Sequence, residues 1–417
     1  AKYLAAATKD LWIPASQANI PRGLFEPNGL FSPRLGLAWR PLDSNSLVVR
    51  SGFGIFPSYL RGNMFASSVA GVPYWTTEAI TFARTQQQPW ETAWPADPTA
   101  FVTPSVQAPV WNTKAMKAKE WNIAIQKSLP AQAAITISYV GNRVTDMITQ
   151  NEYNAVPPGR YTNLQAARPW PAFGSIALLE NIGTSSYDGL QLKLERRFSR
   201  GFSYMLSYAF SKQLGEASAS DSDRPIPFAP KGYNRGRTEL DRTHILTANG
   251  IYQLPFGRQR RFASGIPRIA DAIVGGWQFS LIYQFISGSP LSFTIPGATL
   301  GNGYNTRGTL VGDPHLSNPG VALWFNPSAF QTPAAYMFGN SGMGILDGPG
   351  FHSLDLGLLK DFHLTEKQYL QFRAEAFNST NHVNLNNPNT TLTQATTGSI
   401  TSCLLYTSPS PRDRTRS

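Results

Sequence analysis

The chain has 417 residues and a formal net charge of +11, and only 15% of its residues are charged while 12% are aromatic. This charged content is well below the roughly 25% that is usual in soluble domains. The 35 glycines and 32 prolines suit many turns better than long helices. No apolar stretch is long enough for a transmembrane helix, whereas a barrel strand needs only about 9–11 residues. Composition therefore favours a β-rich protein and leaves an outer-membrane barrel open.

Alternation of apolar and polar residues predicts ten strands, because successive side chains along a strand lie on opposite faces. The predicted strands fall near residues 34–40, 46–56, 119–128, 133–141, 187–196, 202–212, 243–254, 276–286, 351–361 and 368–378.

The clearest predicted hairpin runs from Leu190 to Ser211, around a turn at Ser199-Arg200-Gly201. Met205 is the one exception on its polar side. The apolar side carries Leu190, Leu192, Leu194, Phe202, Tyr204, Leu206, Tyr208 and Phe210. One apolar face and one polar face fit a half-buried soluble sheet, and they also fit a barrel with lipid outside and a polar lumen inside.

The links between the predicted strands alternate in length. Short turns fall near residues 42–45, 130–132, 199–201 and 363–366, and long segments at 57–118, 142–186, 213–242 and 287–350, with an intermediate link at 255–275. Outer-membrane barrels have short periplasmic turns and long extracellular loops. A structureless loop of about 60 residues is also unusual in a compact soluble domain. The sequence therefore predicts an all-β fold, a transmembrane antiparallel β-barrel.

The chain offers little catalytic chemistry. Its five histidines are scattered without an HExxH spacing, and its glycine-rich stretches lack the strand-then-helix context of a phosphate loop. The acids Asp221, Asp223, Glu239 and Asp241 share one long loop but lack the spacing of a calcium loop, which favours ordinary loop charges. We therefore expect no enzyme, no catalytic residue, no cofactor and no metal.

The positive charge is spread over strands and turns, with one dense cluster at Arg258, Arg260 and Arg261. Solvated turn charges account for this distribution better than a nucleic-acid surface does. We therefore expect no nucleic-acid partner.

Two groups of side chains are candidates for function. The lumen-facing group is Lys193, Glu195, Arg373 and Glu375, which would either bind a plug inside the barrel or keep the lumen wet. The loop group is Trp75, Trp90, Trp94, Trp111 and Trp170, which would either stack on a ligand or pack within the loops. The sequence leaves both alternatives open.

Several segments resemble TonB-dependent outer-membrane receptors of the Oar-like type. They include FSPRLGLAWRP and LVVRSGFGIF (residues 31–41 and 47–56), EWNIAIQKSLP with ITISYVGNR (120–143), and DRTHILTANGIYQLPFGRQRRF with GGWQFSLIYQFISGSPLSF (241–293). WFNPSAF, FGNSGMGILDGPGFHSLDLGLLKDF and LQFRAEAFNSTNHVN, within 324–384, are the most specific. The resemblance covers nearly all of residues 30–402, in order.

This resemblance implies a Gram-negative outer-membrane barrel of about 22 strands, closed by an N-terminal plug. The ten predicted strands would be roughly the twelfth to the twenty-first of such a barrel. The implied partners are outer-membrane lipid, the protein's own plug, the TonB complex and an unknown nutrient ligand. We expect residues 1–402 to be a partial barrel, with the plug and the carboxypeptidase-regulatory-like domain absent. Residues 403–417, CLLYTSPSPRDRTRS, are expected to be a non-native tail.

The function implied by the resemblance is TonB-dependent import of a large or scarce nutrient. One alternative is surface adhesion or cell contact through the long loops of the same barrel. A third is a soluble all-β carbohydrate-active enzyme, which the amphipathic strands alone also allow.

Overall fold

The computed structural model describes residues 30–41, 46–58, 103, 105–110, 113–216, 224–258, 260–297, 299–363 and 368–404. Within them the strands, in chain order, are β1 (Arg34–Trp39), β2 (Leu47–Ser58), β3 (Val106–Pro109), β4 (Met116–Leu129), β5 (Ala133–Glu152), β6 (Ile176–Ser199), β7 (Phe202–Gly215), β8 (Gly236–Arg237), β9 (His244–Gln253), β10 (Trp277–Ile286), β11 (Pro290–Leu291), β12 (Thr294–Ile295), β13 (Thr306–Arg307), β14 (Thr309–Leu310), β15 (Phe330–Gln331), β16 (Leu346–Asp347), β17 (Phe351–His363) and β18 (Tyr369–Ala376).

Ten long strands form one continuous sheet in the order β1-β2-β4-β5-β6-β7-β9-β10-β17-β18. Every neighbouring pair along this path is antiparallel. Short β3 pairs in parallel with β6, and β8 pairs with β7. The ten predicted strands are confirmed, and so is their consecutive up-and-down arrangement.

Two short helices accompany the strands, α1 (Leu164–Ala167) and α2 (Arg268–Val274). Among the described residues, neither helix has the length or apolar character that a membrane-spanning helix requires. Helix α2 lies in the intermediate link between β9 and β10.

The register of the sheet separates apolar from polar side chains across many strands. One row of directly paired residues runs through Val49, Ile125, Ile137, Leu192, Tyr208, Leu246 and Phe285. The neighbouring row runs through Gln126, Thr136, Lys193, Ser207, Thr247, Gln284 and Ser353. Because successive residues of a strand lie on opposite faces, these rows belong to an apolar face and a polar face of one sheet.

The predicted turn between β6 and β7 is confirmed. Ser199 pairs with Phe202, which leaves Arg200 and Gly201 as a two-residue loop with φ values of 51° and 78°. Positive φ at both positions characterises the type I′ turn, whose twist matches that of the flanking strands. The predicted turns at 42–45 and at 364–366 lie outside the described residues.

Strands β5 and β6 are longer than a membrane requires, with 20 and 24 residues respectively. A membrane-spanning strand needs only about 9–11 residues, so in the predicted barrel both strands would continue beyond the bilayer at the end that carries the long loops. The extension starts at a β-bulge between Val144 and Met147, where Asp146 has a φ of 59°. A bulge of this kind bends a strand and increases its twist.

The predicted long loop at 287–350 has its own compact structure. Short strands β11 to β16 lie within it, and its buried side chains join one from the chain end to form a hydrophobic core. The buried members of this core are Leu291, Phe293, Ile295, Phe325, Ala329, Phe330, Leu346 and Leu392. The long-loop end of the sheet therefore carries a folded unit with an interior of its own.

Candidate functional site

The structure places the four predicted lumen-facing charges as two separate pairs on the polar face. On β6, Lys193 Nζ lies 2.6 Å from Glu195 Oε2, and on β18, Arg373 Nη1 lies 3.7 Å from Glu375 Oε1. Four strands lie between β6 and β18 in the sheet order. At about 4.8 Å per strand the pairs are roughly 24 Å apart along the sheet, so they do not form a single site.

The polar face carries further charged groups that the sequence analysis missed. Arg50 donates to Gln126 Oε1 at 2.6 Å, Asn142 donates to Glu120 Oε1 at 3.0 Å, and Gln371 donates to Asp361 Oδ1 at 2.9 Å. The same alternation that marks Lys193 also places Arg50, Glu120 and Asp361 on this face. These pairs cover the polar side with hydrogen-bonding groups suited to water or to another protein surface.

The long links at one end of the sheet interlock into one unit, here called the loop module. It comprises residues 153–175, 224–243, 287–350 without residue 298, and 377–404. Asn302 donates to the carbonyl of Val156 at 2.9 Å, and Arg237 Nη2 lies 2.8 Å from Asp347 Oδ1. These contacts connect links that are far apart in sequence, so the module presents one fixed surface at the extracellular end.

Arg307 is the central cation of the loop module. It is 6% exposed, donates from Nε to the carbonyl of Ser341 at 2.7 Å, and donates from Nη2 to the carbonyl of Tyr233 at 2.5 Å. Its Cζ lies 3.6 Å from the centre of the Tyr233 ring. A buried guanidinium needs this many partners because an unsatisfied buried charge is costly. No sequence pattern singles out this arginine.

Of the five loop tryptophans, the structure describes Trp170. Trp75, Trp90, Trp94 and Trp111 lie outside the described residues. Trp170 is 39% exposed at the surface of the module, while its backbone N–H donates to Asn154 Oδ1 at 2.8 Å. Its backbone is thus fixed while part of the residue remains open to solvent, an arrangement that permits stacking on a ligand.

Asn154 is the residue that fixes this backbone. It is fully buried, and its Nδ2 lies within 2.9 Å of the carbonyl oxygens of Trp170, Phe173 and Gly174. Replacing Asn154 with alanine removes one donor from each of these carbonyls, which keep a second donor, and leaves the backbone N–H of Trp170 without its acceptor. We expect a loss of about 1–3 kcal/mol in the local stability of residues 153–175. Amide hydrogen exchange of that segment measures it, with Asn163→Ala, at the exposed start of α1, as the milder comparison.

Among the four loop acids, Asp241 has a structural role. It is 1% exposed, accepts from Arg237 Nε at 2.6 Å and accepts from the backbone N–H of Gln213 at 2.5 Å. These bonds attach the loop after β7 to the end of that strand. Asp221 and Asp223 lie outside the described residues, and no group of three or more metal-ligating side chains occurs among the described ones.

Two phenols of the module are held in their neutral form. The hydrogen bond to Glu180 raises the pKa of Tyr153 to about 12. Burial, followed by the charge of Glu152, raises the pKa of Tyr304 to about 12. Both phenols therefore stay protonated at neutral pH, and the Tyr153 hydroxyl donates to Glu180 Oε1 at 2.6 Å.

Comparisons with known proteins agree with this architecture. The family described as "Outer membrane beta barrel domain" matches residues 2–414. The outer membrane transporter YddB from Escherichia coli is 10% identical with a TM-score of 0.50, over 84% of this chain and 37% of that one. A comparison with curated proteins finds no match.

Two further solved structures are similar at lower scores. The FrpB iron transporter from Neisseria meningitidis is 11% identical with a TM-score of 0.40, over 88% of this chain and 37% of that one. The siderophore receptor PiuA from Acinetobacter baumannii is 9% identical with a TM-score of 0.38, over 82% and 30%. The chain thus spans between 30% and 37% of the length of these three structures.

Proposed function

Because this chain belongs to the outer-membrane β-barrel family and is located in the outer membrane, we propose that it forms part of a TonB-dependent transporter. In this proposal, the protein imports a large or scarce nutrient through a plugged barrel. A soluble carbohydrate-active enzyme does not fit this family membership.

The observation that carries the proposal is the pair of neighbouring rows across the sheet. The row through Ile137 and Leu192 is apolar over seven strands, while the next row, through Thr136 and Lys193, is polar over seven strands. Such a sheet separates lipid from a polar interior. A polar interior that is also lined by paired charges is what a removable protein plug requires, since hydrogen bonds to water can replace those to the plug.

The loop module supports the binding step of the proposal. Its contacts hold several links in one arrangement at the extracellular end, and Trp170 is partly exposed within it. We propose that the module, with Trp170 and the four tryptophans outside the described residues, receives the nutrient. The PiuA structure is named as that of a siderophore receptor, and a ferric siderophore is one candidate nutrient. Cobalamin and oligosaccharides are others.

The lumen-facing pairs support the release step. We propose that Lys193, Glu195, Arg373 and Glu375 hydrogen-bond to a plug that precedes residues 1–402 in the complete protein. Each pair is exposed on the polar face, with side-chain exposures of 45% and 39% for Lys193 and Glu195. Exposed pairs contribute little to the stability of the barrel itself, so they are free to exchange partners.

The test is nutrient uptake by cells that express the complete protein, with and without a working TonB complex. We expect labelled nutrient to bind in both strains and to accumulate only with TonB. The double variant Lys193→Met/Glu195→Gln is expected to bind nutrient normally and import it more slowly, whereas the outward-facing Lys127→Met leaves both unchanged. Nutrient binding without TonB-dependent import, together with adhesion of cells to a surface, would instead establish the adhesion role.

A further inference from the structure

A cluster of cations lies on the apolar face of the sheet, near its extracellular end. We propose that this cluster binds the phosphorylated headgroup of lipopolysaccharide in the outer leaflet of the membrane. The cluster, here called the basic band, consists of Lys117 and Lys119 on β4, Arg143 on β5 and Lys212 on β7. The proposed lipid binding depends on the outer-membrane location alone and is independent of the transport proposal.

The register puts the basic band on the face that contacts lipid. Lys119 alternates with Trp121, Ile123 and Ile125 along β4, so all four share one face. Lys119 pairs directly with Arg143, and Lys212 pairs directly with Asp188. Asp188 lies two residues before Leu190 on β6, which belongs to the apolar side. The basic band therefore extends the lipid-facing surface toward the end of the sheet that carries the long loops.

The height of the band matches the membrane boundary. Lys117 and Lys127 lie on the same face of β4, and the side chains between them on that face are Lys119 and the apolar Trp121, Ile123 and Ile125. At about 3.4 Å per residue they are roughly 34 Å apart along the strand. A strand tilt of about 40° reduces this to roughly 26 Å along the membrane normal, close to the apolar band of about 25 Å in such barrels. Lys117 and its neighbours thus lie at headgroup level.

Within the described residues, neighbouring carboxylates do not balance the charges of the band. Lys119 and Arg143 are directly opposite each other, and like charges in such a position destabilise a sheet. Asp188 accepts from Arg143 at 2.9 Å, whereas in the described part of the chain no carboxylate lies within 4 Å of the ammonium groups of Lys117, Lys119 or Lys212. Four cations against one carboxylate leave an excess of three positive charges. An anion outside the protein would complete the balance.

The cation nearest the centre of the band is held in place. Arg143 Cζ lies 5.3 Å from the centre of the Trp121 ring, and Tyr139 donates to Asp188 at 2.5 Å. The Trp121 ring covers Gly141, at a position where any Cβ would meet the ring. Fixing the guanidinium in advance lowers the entropy cost of binding a phosphate, for which its planar donors are suited.

The opposite end of the same face shows a different pattern. There, Lys360 is 2% exposed, and its Nζ donates to the carbonyl of Gly275, the C-cap residue of α2. Arg196 donates to the carbonyl of Ser199 at 3.2 Å. These cations already have backbone partners, as does Arg143, which donates from Nη1 to the carbonyls of Asn142 at 2.8 Å and Tyr187 at 3.1 Å. The contrast with the basic band therefore rests on its three lysines. Lys127 is exposed but stands apart from Lys360 and Arg196 on β4. Among the described strand residues of this face, the extracellular end carries four neighbouring cations, those of the basic band.

The experiment measures binding of lipid A in neutral detergent to the complete, delipidated protein. Each removed cation is expected to weaken binding about fivefold, so Lys117→Gln/Lys119→Gln/Arg143→Gln should lose about 100-fold. The variant Asp188→Asn, which removes the competing carboxylate, should bind about fivefold more tightly. Lys127→Gln is the matched control, and heat-modifiable migration in gels verifies that each variant is folded.

Two lipid arms distinguish the source of the phosphate. Dephosphorylated lipid A is expected to bind the unchanged protein as weakly as intact lipid A binds the triple variant. Phosphatidylglycerol is expected to compete poorly with lipid A for the unchanged protein. Unchanged binding by the folded triple variant would overturn the proposal, as would an equal loss in Lys127→Gln. Equal binding of dephosphorylated lipid A, or of phosphatidylglycerol, would also overturn it.

Discussion

Replacing Phe293 with alanine is expected to destabilise the loop module by about 3–5 kcal/mol, the usual cost of removing a fully buried aromatic side chain. Phe293 is 0% exposed, and its ring centre lies 4.7 Å from that of Phe325 and 4.4 Å from that of Phe330. The three rings form the middle of the hydrophobic core of the module. Their loss leaves a cavity that the surrounding short strands cannot fill.

The effect is expected to stay local, because the core of the module does not include the long strands of the sheet. The rate of amide hydrogen exchange in residues 287–350 should rise. Protease added to intact cells should cleave the protein within this segment. Phe228→Ala is the matched control, since Phe228 is 54% exposed in another link of the module. Equal protease sensitivity of the two variants would contradict the assignment of Phe293 to a folded core.

Replacing Leu192 with arginine is expected to destabilise the barrel by about 2–4 kcal/mol, because it places a charge on the lipid face near the middle of the membrane. Leu192 lies in the apolar row, between Ile137 on β5 and Tyr208 on β7. The measurement is urea-dependent unfolding of the complete protein in lipid bilayers.

The control for Leu192 is Thr247→Arg on the polar face. Thr247 pairs with Ser207 and with Gln284, neither of which carries a charge. Arginine at this position faces the lumen, where substitutions change selectivity more than stability, so unfolding should be nearly unchanged. A larger loss in Thr247→Arg than in Leu192→Arg would reverse the assignment of the two faces.

The strands of the sheet were predictable because each depends on local alternation. The hairpin from Leu190 to Ser211 shows this well: its two faces, its turn at Arg200-Gly201 and its exception at Met205 all occur as the sequence indicates. The position of Lys193 and Glu195 on the polar face follows from the same periodicity. The partners of Arg50 and Glu120 do not, because they depend on the register between strands, which a single strand does not contain.

The sequence by itself determined the all-β class, the ten strands, their two faces and the alternation of short and long links. These properties depend on the two-residue alternation of side chains along a strand and on the residues of the turns, both of which are local in the sequence. Only the tertiary structure decided that the long links pack into a loop module, that Arg307 and Asn154 are buried in it, and that four cations from three strands lie near one another on the apolar face. Those features arise from contacts between residues far apart in the chain, and such contacts leave no periodic trace in the sequence.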